Sequence, residues 1–597
     1  MREYSVPART QVGHDAALPD LLADNVARHG DDVGLRVQRG GRWEDVTWRE
    51  FGDQVAGVAK GLIAAGVGPG DRVALQAKTR YEWPLLDFAI WTAGAVTVPV
   101  YETSSADQVA WILADSGAVA AVVERPEHAV AVDSVREQAP DLGPLYVIED
   151  DAVGALTAAG AGVPDSELAA RRATLDADSL ATLIYTSGTT GRPKGCELTH
   201  GNFLFEIDNG ITLLHRLLGE EDSLLLFIPL AHVLARVLQV GAVKTRTVTG
   251  HTPDVKNLVE DLGAFQPTFV LAVPRVFEKV YNSAKAKADA DGKGRIFDRA
   301  AQVAIDWSRA QDTGGPGLAL RVQHALFDRL VYGKLRAALG GRCKGAISGG
   351  APLGERLGHF FRGIGVTVYE GYGLTETTAA ASVNHDEAVR IGTVGRPLPG
   401  VGFRIADDGE ILIRGGVVMR GYWNNPQATA EAIDADGWFA TGDIGEIDAD
   451  GFLRITGRKK EILVTAGGKN VAPAVLEDRL RAHRLVSQCI VVGDQRPFIA
   501  ALVTLDAEAL PLWLQSRGRS ADTPVEQLVD DPDVRAELDA AVAEANKAVS
   551  QAEAIKKYRV LGTDFTEDNG MLTPSLKLKR AVVMKEFDAE VEELYAR

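Results

Sequence analysis

The chain has 597 residues, 46% of them hydrophobic and 24% charged, and its formal net charge is −18. A single hydrophobic core stops growing well below this length, so at least two domains are expected. The acidic balance disfavours nucleic acid as a partner, and it means that an anionic substrate must be met by local cations. The 3 cysteines, far apart and odd in number, give neither a disulfide framework nor a zinc cluster and suit a reducing cytoplasm.

The N-terminal sequence and the most apolar stretch bear on targeting. The first thirty residues contain no basic start followed by an apolar run, so no export or import signal is expected. Residues 224–243 are the most membrane-like, but they include Pro229, His232, Arg236 and Gln239. Such residues favour a buried element, so no transmembrane segment is predicted. Peripheral contact with a membrane and the oligomeric state stay open.

From Asp71 onward, strand-like and helix-like segments alternate along the chain. In order they are RVALQAK, YEWPLLDFAIWTAG, VTVPV, SADQVAWILADSG and AVAAVVE. Further apolar strands are predicted at 180–185, 267–273 and 344–349. Alternation of this kind is typical of parallel strands joined by crossover helices. The bulk of the chain is therefore predicted to be α/β.

The pattern changes near residue 400 and again after Arg458. Residues 403–415 predict two alternating strands around an Asp-Gly turn, at the start of a β-rich subdomain. After Arg458, SQCIVVGD and PFIAALVTLD predict strands, and 532–558 predicts one long helix. We expect a large N-terminal domain over 1–459 and a small α+β domain over 460–597.

The decapeptide TSGTTGRPKG, residues 186–195, is a candidate anion-binding loop. It follows the apolar strand LATLIY and supplies glycines, hydroxyls and the cations Arg192 and Lys194. Glycines let the backbone approach an oxyanion, to which hydroxyls and lysine donate. A Walker loop is excluded because Pro193 precedes Lys194 and Gly195 follows it. Taken alone, the decapeptide fits a surface turn equally well.

Five motifs in order resolve that ambiguity. TSGTTGRPKG, YGLTETT (372–378), TGD (441–443), GRKKE (457–461) and LTPSLKLKR (572–580) together resemble the AMP-forming acyl-CoA synthetases. Their superfamily also holds firefly luciferase and nonribosomal-peptide adenylation domains. The resemblance covers essentially the whole chain. It implies a large adenylate-forming domain with parallel sheets flanked by helices, and a small mobile C-terminal domain.

The resemblance also implies a reaction and its co-substrates. A carboxylate reacts with ATP, in the presence of Mg²⁺, to give acyl-adenylate and pyrophosphate. The CoA thiol then displaces AMP. The expected partners are thus small molecules, and the family's nucleotide-binding positions fall on Thr186, Ser187, Gly188, Thr189, Thr190, Lys194, Gly349, Gly350, Ala351, Tyr372, Gly373, Asp443 and Arg458. Of these, the first six would hold phosphate, Tyr372 would stack on adenine and Asp443 would accept the ribose hydroxyls.

Four further residues match the family's catalytic positions. Glu376 matches the Mg²⁺ ligand, which suits a cation that keeps much of its hydration. Thr375 would touch the α-phosphate, and Lys577 would stabilise charge on the carboxylate and α-phosphate during attack. His232 matches a histidine near the carboxylate pocket. On its apolar stretch, a histidine satisfied within the core is the alternative.

The second step is assigned to a rotated small domain. Lys460 falls at the family's hinge position. In TAGGKNV, Gly467, Gly468 and Lys469 would then line the pantetheine channel, where glycines permit close approach of a narrow ligand. Taken without the resemblance, this segment is only a turn.

The acyl group is suggested by three stretches, 101–118, 267–281 and 421–443, which resemble long-chain fatty-acid–CoA ligases more than acetyl- or aryl-specific relatives. An apolar tunnel from 203–243 and 268–281 would hold the tail, although core packing explains the same residues. Two alternatives remain. One is a fatty-acyl-AMP ligase that loads a carrier protein, and the other is a catalytically silent nucleotide or acyl sensor. A cytoplasmic enzyme, compatible with a peripheral position at the inner membrane face, is expected.

Overall fold

The computed structural model describes residues 1–186, 192–253, 257–573 and 577–596. The described strands build two large, mainly parallel sheets, an antiparallel sheet and, beyond residue 460, two smaller sheets. Helices cover the parallel sheets, so the predicted α/β class with a β-rich subdomain and an α+β C-terminal region is confirmed.

The first parallel sheet contains the alternating segment after Asp71. Its described strands, in spatial order, are Gly421–Tyr422, Lys194–Thr199, Leu180–Thr186, Val96–Val100, Arg72–Gln76, Ala118–Val123 and Leu145–Val147. Lys194–Thr199 runs back antiparallel to Leu180–Thr186, with Gly195 opposite Tyr185. The candidate loop therefore joins two paired strands, and both of its ends are fixed in a sheet.

The second parallel sheet carries several strands whose carboxyl ends meet. Its described strands, in spatial order, are Arg396–Pro397, Ser382–Val383, Thr367–Tyr372, Gly345–Ser348, Phe269–Ala272, Ser223–Leu226, Val248–His251, Val33–Arg39 and Arg42–Thr47. Those from Thr367–Tyr372 to Val33–Arg39 are parallel. The residues that follow Ser348, Leu226 and Tyr372 are thus brought to one edge, where ligands bind in such sheets.

Sixteen α-helices are described before residue 460, and several of them carry recognisable end signals. For example, Ser105 and Gln108 form a capping box, and Gly117 ends the same helix with φ +61°. The helices are Pro19–His29, Trp48–Ala64, Glu82–Thr92, Ala106–Ser116, Pro126–Ser134, Ala152–Ala159, Asp165–Arg172, His200–Asn209, Val233–Thr245, Leu258–Phe265, Pro274–Ala290, Gly294–Gln311, Leu318–Phe327, Gly333–Ala338, Glu355–Gly363 and Pro426–Ala432.

The membrane-like stretch 224–243 forms a buried strand and a buried helix, as predicted. Arg236 is fully buried because it pairs with the carboxylate of Asp87, with an Nε–Oδ2 distance of 2.8 Å, and donates to Thr182 Oγ1 at 2.6 Å. A buried charge needs such partners. None of the described helices has the length and apolar character that crossing a membrane requires.

The antiparallel sheet begins with the chain's first residues. Its described strands, in order, are Glu3–Ser5, Val401–Ile405, Glu410–Gly415, Phe439–Ile447 and Leu453–Arg458. The hairpin predicted over 403–415 is confirmed, and Gly409 takes the left-handed φ of +86° in its turn. The sequence pattern did not predict Glu3–Ser5, a short edge strand.

The region after residue 460 has its own apolar clusters. Strands Leu463–Val464 and Asn470–Val471 pair, as do Val486–Val492, Ile499–Leu505 and Ile555–Leu561. The described helices are Pro473–Arg481, Leu510–Ser516, Pro532–Asn546, Arg580–Glu586 and Asp588–Tyr595.

The single helix predicted over 532–558 is wrong in its second half. The helix ends at Asn546, whose side chain donates to Ile555 O and accepts from Ile555 N. The chain then forms a strand parallel to Ile499–Leu505, burying Ile555 and Val560. Tertiary pairing overrides helix propensity here.

Candidate active site

A cavity of about 760 Å³ collects most of the predicted residues. Of the predicted set, its lining includes Thr186, Lys194, His232, Gly349, Gly350, Tyr372, Gly373, Thr375, Glu376, Arg458, Lys460 and Lys577. Asp443 lies directly behind two of them, and Ala351 is exposed beyond Gly350 without lining the cavity. Ser187, Gly188, Thr189 and Thr190 lie outside the described residues.

Asp443 is the centre of a hydrogen-bonded group. Its Oδ2 accepts from Tyr372 Oη at 2.6 Å, and its Oδ1 accepts from Arg458 Nε at 2.8 Å. Burial and the neighbouring carboxylate raise the pKa of Tyr372 well above its usual value, so the phenol keeps its proton. A carboxylate has about four acceptor positions, so Asp443 retains the capacity to accept two further hydroxyls.

Glu376 and Lys194 meet through Tyr422, a residue that sequence reasoning did not single out. Tyr422 Oη donates to Glu376 Oε1 at 2.9 Å, and Lys194 Nζ lies 4.0 Å from the centre of the Tyr422 ring. Burial, followed by Glu376, raises the Tyr422 pKa. The only available signal was GYW in a stretch that resembles long-chain ligases. Glu376 forms no ion pair in the part of the chain that the structure describes, so its Oε2 remains for a cation.

Lys577 reaches the cavity from the C-terminal region. Two hydrogen bonds join it to Thr573: Lys577 N donates to Thr573 Oγ1 at 3.0 Å, and Thr573 N donates to Lys577 O at 2.8 Å. A methyl group added at Gly350 would lie 3.9 Å from Lys577 Cε. Lys577 stays accessible within the cavity, yet the surrounding protein, followed by Arg458, lowers its pKa.

Gly350 and Gly373 explain why backbone atoms line the cavity beside Tyr372. Gly350 has φ +83°, a conformation that residues with a side chain rarely adopt. At Gly373, a Cβ atom would lie 1.8 Å from the carbonyl oxygen of Ala379, so any side chain would force the YGLTETT turn apart. Open backbone at Gly350 and a tight turn at Gly373 leave room for a planar group beside Tyr372.

His232 begins the helix Val233–Thr245 and lines the cavity. Its Nδ1 accepts from the backbone N–H of Leu234 at 3.2 Å. Burial, followed by the charge of Lys577, lowers its pKa to about 3. The imidazole is therefore neutral at physiological pH, and the assigned acceptor role of Nδ1 leaves Nε2–H as a donor.

Another part of the lining is mainly apolar. We call it the apolar part of the cavity, as opposed to the polar part around Tyr372, Glu376, Arg458 and Lys577. Its side chains include Ile211, Leu214, Val237, Leu238 and Leu398. One exception is Glu206, a buried carboxyl on the helix His200–Asn209. Nothing in the sequence distinguished Glu206 from other acidic residues.

The turn predicted to line a CoA channel is elsewhere. Gly467, Gly468 and Lys469 form the tip of the hairpin between Leu463–Val464 and Asn470–Val471 and do not line this cavity. Gly468 has φ +74°, and Lys469 Nζ lies 3.5 Å from Glu553 Oε1. The structure therefore brings Lys577, and not this turn, to the cavity.

Comparison with known proteins gives a consistent result. A family model described as AMP-binding enzyme matches residues 22–423, and one described as AMP-binding enzyme C-terminal domain matches 460–597. The chain is 55% identical over 598 residues to the long-chain-fatty-acid–CoA ligase FadD15 of Mycobacterium tuberculosis, covering all of both chains. It is 31% identical to the long-chain-fatty-acid–CoA ligase ACSBG2 of Gallus gallus, over 97% of this chain and 81% of that protein.

Among solved structures, the A domain of the carboxylic acid reductase from Segniliparus rugosus, in complex with AMP and a co-purified carboxylic acid, is similar in fold. The TM-score is 0.74 at 23% identity, and the alignment covers 97% of this chain and 94% of that one. The family model that matches most of the sequence and the relatives that match its full length give the same assignment. This chain belongs to the family of AMP-binding enzymes.

Proposed function

We propose that this enzyme is a long-chain fatty-acid–CoA ligase, with ATP, CoA and a fatty acid as substrates. The observation that carries the proposal is one cavity in which Lys577, Glu376 and the Asp443 group adjoin an apolar part. Full-length relatives at 55% identity bear the same activity in their names. A polar and an apolar part in contact suit a reaction between a nucleotide and a fatty acid.

In the first step a carboxylate oxygen attacks the α-phosphorus of ATP, and pyrophosphate leaves. Two anions must meet, so the work of the protein is mainly positioning and charge neutralisation. Tyr372 would stack on adenine, and Asp443 would accept ribose hydroxyls while held by Arg458. Lys577 would donate to the fatty-acid carboxylate and the α-phosphate.

Three further residues complete this assignment. Neutral His232 would donate Nε2–H to the carboxylate, and Thr375 would donate to the α-phosphate. Glu376, whose Oε1 is oriented by Tyr422, fits as a Mg²⁺ ligand. When bound, Mg²⁺ supplies neutralisation of phosphate charge.

In the second step the CoA sulfur attacks the acyl carbonyl and AMP leaves. We propose that residues 460–597 act as a separate domain that turns about Lys460 between the two steps. Lys460 lines the cavity in the short turn Lys459–Glu461, next to the strand that carries Arg458. Rotation there would withdraw Lys577 and bring Gly467, Gly468 and Lys469 to the channel, as in hinge closure.

The test separates the two half-reactions. ATP–pyrophosphate exchange with a long-chain acid measures adenylation, and acyl-CoA formation from supplied acyl-adenylate measures the second step. Gly467→Leu should keep the exchange rate and lower thioester formation by at least about tenfold, because a side chain would obstruct a narrow channel. Gly162→Leu, at an exposed glycine that, like Gly467, has no left-handed φ and has open space around it, is the matched control. Equal loss in both half-reactions for Gly467→Leu would contradict the two-state assignment.

The enzyme is proposed to work in the cytoplasm and to touch the membrane peripherally. Its three cysteines are free and buried, as suits a reducing compartment. The helix Leu318–Phe327 and the turn after it expose Leu318, Val322, Leu326 and Leu330, at 81%, 70%, 55% and 52%. We call these four residues the apolar helix face.

Charge around the apolar helix face favours an anionic lipid surface. Residues 318–344 include 6 basic side chains and 1 acidic one, Asp328, in a chain of net charge −18. Asp328 is itself paired with Arg336. Apolar side chains flanked by Lys and Arg bind the interface of anionic bilayers.

Leu326→Glu should therefore weaken cosedimentation with phosphatidylglycerol vesicles. Val130→Glu, at a residue 69% exposed on another helix, is the matched control and should bind as the parent does. Equal binding by the parent and Leu326→Glu would contradict this docking face. A change from dimer to monomer in Leu326→Glu would assign the face to a second copy instead.

A further inference from the structure

Glu206 is a buried carboxyl that the reaction described above does not use. It lies on the helix His200–Asn209, is 3% exposed and lines the cavity. Its Oε1 accepts from the backbone N–H of Ala380 at 2.9 Å. Its Oε2 is buried without a hydrogen-bond partner among the described residues. A buried polar atom without a partner is costly, so an unused one beside a ligand cavity points to the ligand.

The surroundings of Glu206 exclude a structural ion pair among the described residues. Burial raises its pKa well above the usual value, and only the Ala380 N–H opposes that rise. Its neighbours in the cavity lining are apolar, including Ile211, Leu214 and Leu398. Burial therefore favours the neutral acid, whose O–H has no acceptor among the described residues. An apolar tail alone would leave that donor unsatisfied.

We propose that Glu206 is a specificity-determining residue of the acyl pocket, and that it selects acyl chains bearing a hydroxyl group along the tail. A hydroxyl accepts from a neutral carboxyl and donates to an ionised one, so it pairs with Glu206 in either state. This inference rests on the proposed ligase function and names a narrower substrate class for the same site.

Ala380 connects this position to the reacting end of the cavity. It lies four residues after Glu376, just beyond the turn Thr375–Thr377. Glu206 is thus fixed, through its Oε1, to the segment that carries the predicted Mg²⁺ and α-phosphate residues. The segment that contains Thr375 and Glu376 would position the fatty-acid carboxylate, and through Ala380 it also holds Glu206. A hydroxyl on the bound tail would therefore be recognised at a fixed distance from the fatty-acid carboxylate.

The experiment compares kcat/KM for acids of one chain length, with the hydroxyl moved stepwise along the tail and with the unsubstituted acid as reference. The parent enzyme should prefer one hydroxyl position by about tenfold or more, since pockets built to hydrogen-bond a hydroxyl discriminate strongly. Glu206→Leu should abolish that preference while turning over the unsubstituted acid. Glu206→Gln, which retains a donor and an acceptor, should keep part of the preference.

Glu370→Leu is the matched control. Glu370 is also a buried carboxyl that accepts one backbone N–H, from Leu353 at 2.9 Å, but it does not line the cavity. Its variant should lose stability without altering the positional preference. The same hydroxyl ratios in the parent and Glu206→Leu would overturn the proposal and leave Glu206 satisfied by water alone. Failure of every variant and the parent to activate any acid would instead overturn the ligase function.

Discussion

The two parts of the cavity differ in how their side chains are held. In the polar part, functional groups bind one another: Asp443 joins Tyr372 and Arg458, and Tyr422 joins Glu376. In the apolar part, side chains are held by packing, and Glu206 retains a buried oxygen without a hydrogen-bond partner among the described residues. From this difference we expect the proposed reacting groups to be pre-oriented, and recognition of the fatty tail to depend on the shape of the cavity and on Glu206.

This comparison can be tested most strongly at Lys577. Lys577→Ala should lower adenylation by about 10²–10³-fold, because a charge aimed at the transition state is lost from a pre-oriented site. Thioester formation from supplied acyl-adenylate should be largely retained, and pyrophosphate exchange against acyl-CoA formation measures the two. Lys579→Ala is the control, since Lys579 lies two residues on and does not line the cavity. Loss of adenylation in Lys579→Ala together with an active Lys577→Ala would assign the catalytic role to Lys579 instead.

A smaller effect is expected from substitutions in the hydrogen-bonded group of Asp443, Tyr372 and Arg458. Asp443→Asn should raise the KM for ATP by roughly tenfold. The substitution removes the negative charge of the carboxylate that orients Arg458 and accepts the hydrogen bond of Tyr372. Tyr372→Phe and the double variant complete a cycle. Strictly additive effects would show that the group is not coupled, whereas contacting residues normally show non-additive free energies.

The apolar part should respond in selectivity rather than in chemistry. Leu214→Trp should shift the preferred acid to shorter chains, because it fills the cavity, and chain-length profiles of kcat/KM measure this. Leu213→Trp is the matched control: both residues are buried in the turn Ile211–Leu214, but only Leu214 lines the cavity. Each variant should lose about 1–3 kcal/mol of stability through overpacking. An unchanged profile for Leu214→Trp would contradict the tail assignment.

The smallest effect is a shift in pH dependence. In its proposed role Lys577 must be protonated, so its lowered pKa should move the alkaline decline of adenylation below pH 10.5, the ordinary lysine value. His232, with a pKa of about 3, should add no limb between pH 5 and 8. Between the lowered pKa of Lys577 in the folded protein and its ordinary pKa in the unfolded chain, the unfolded chain binds more protons than the folded one. The free energy of unfolding should therefore rise with pH in that range. A pH–rate profile of pyrophosphate exchange measures this alkaline decline. A decline near pH 10.5, as for an exposed lysine, would contradict the prediction.

Sequence reasoning went further for the order of elements than for contacts between them. Alternating periodicity predicted the parallel strands from Arg72–Gln76 onward, because each strand and helix there is locally consistent. It failed at 547–558, where pairing with Ile499–Leu505 overrides local helix propensity. The edge strand Glu3–Ser5 was missed since its pairing partner lies about 400 residues away.

The site shows the same division. Motif resemblance supplied Glu376, Asp443 and Lys577, whereas their hydrogen-bond partners became evident only in three dimensions. Tyr422 and Glu206 were missed because their significance lies in which atoms they face. A lone glutamate on an amphipathic helix gives no periodic signal.

The most direct test of the central claim is product analysis of the purified enzyme. It is incubated with ATP, Mg²⁺ and fatty acids of graded chain length, with and without CoA. The account predicts AMP and acyl-CoA in equal amounts when CoA is present, with the highest rates for long chains. Acyl-adenylate that accumulates despite CoA would contradict it in favour of transfer to a carrier protein, and absence of turnover with every acid would indicate a silent nucleotide or acyl sensor.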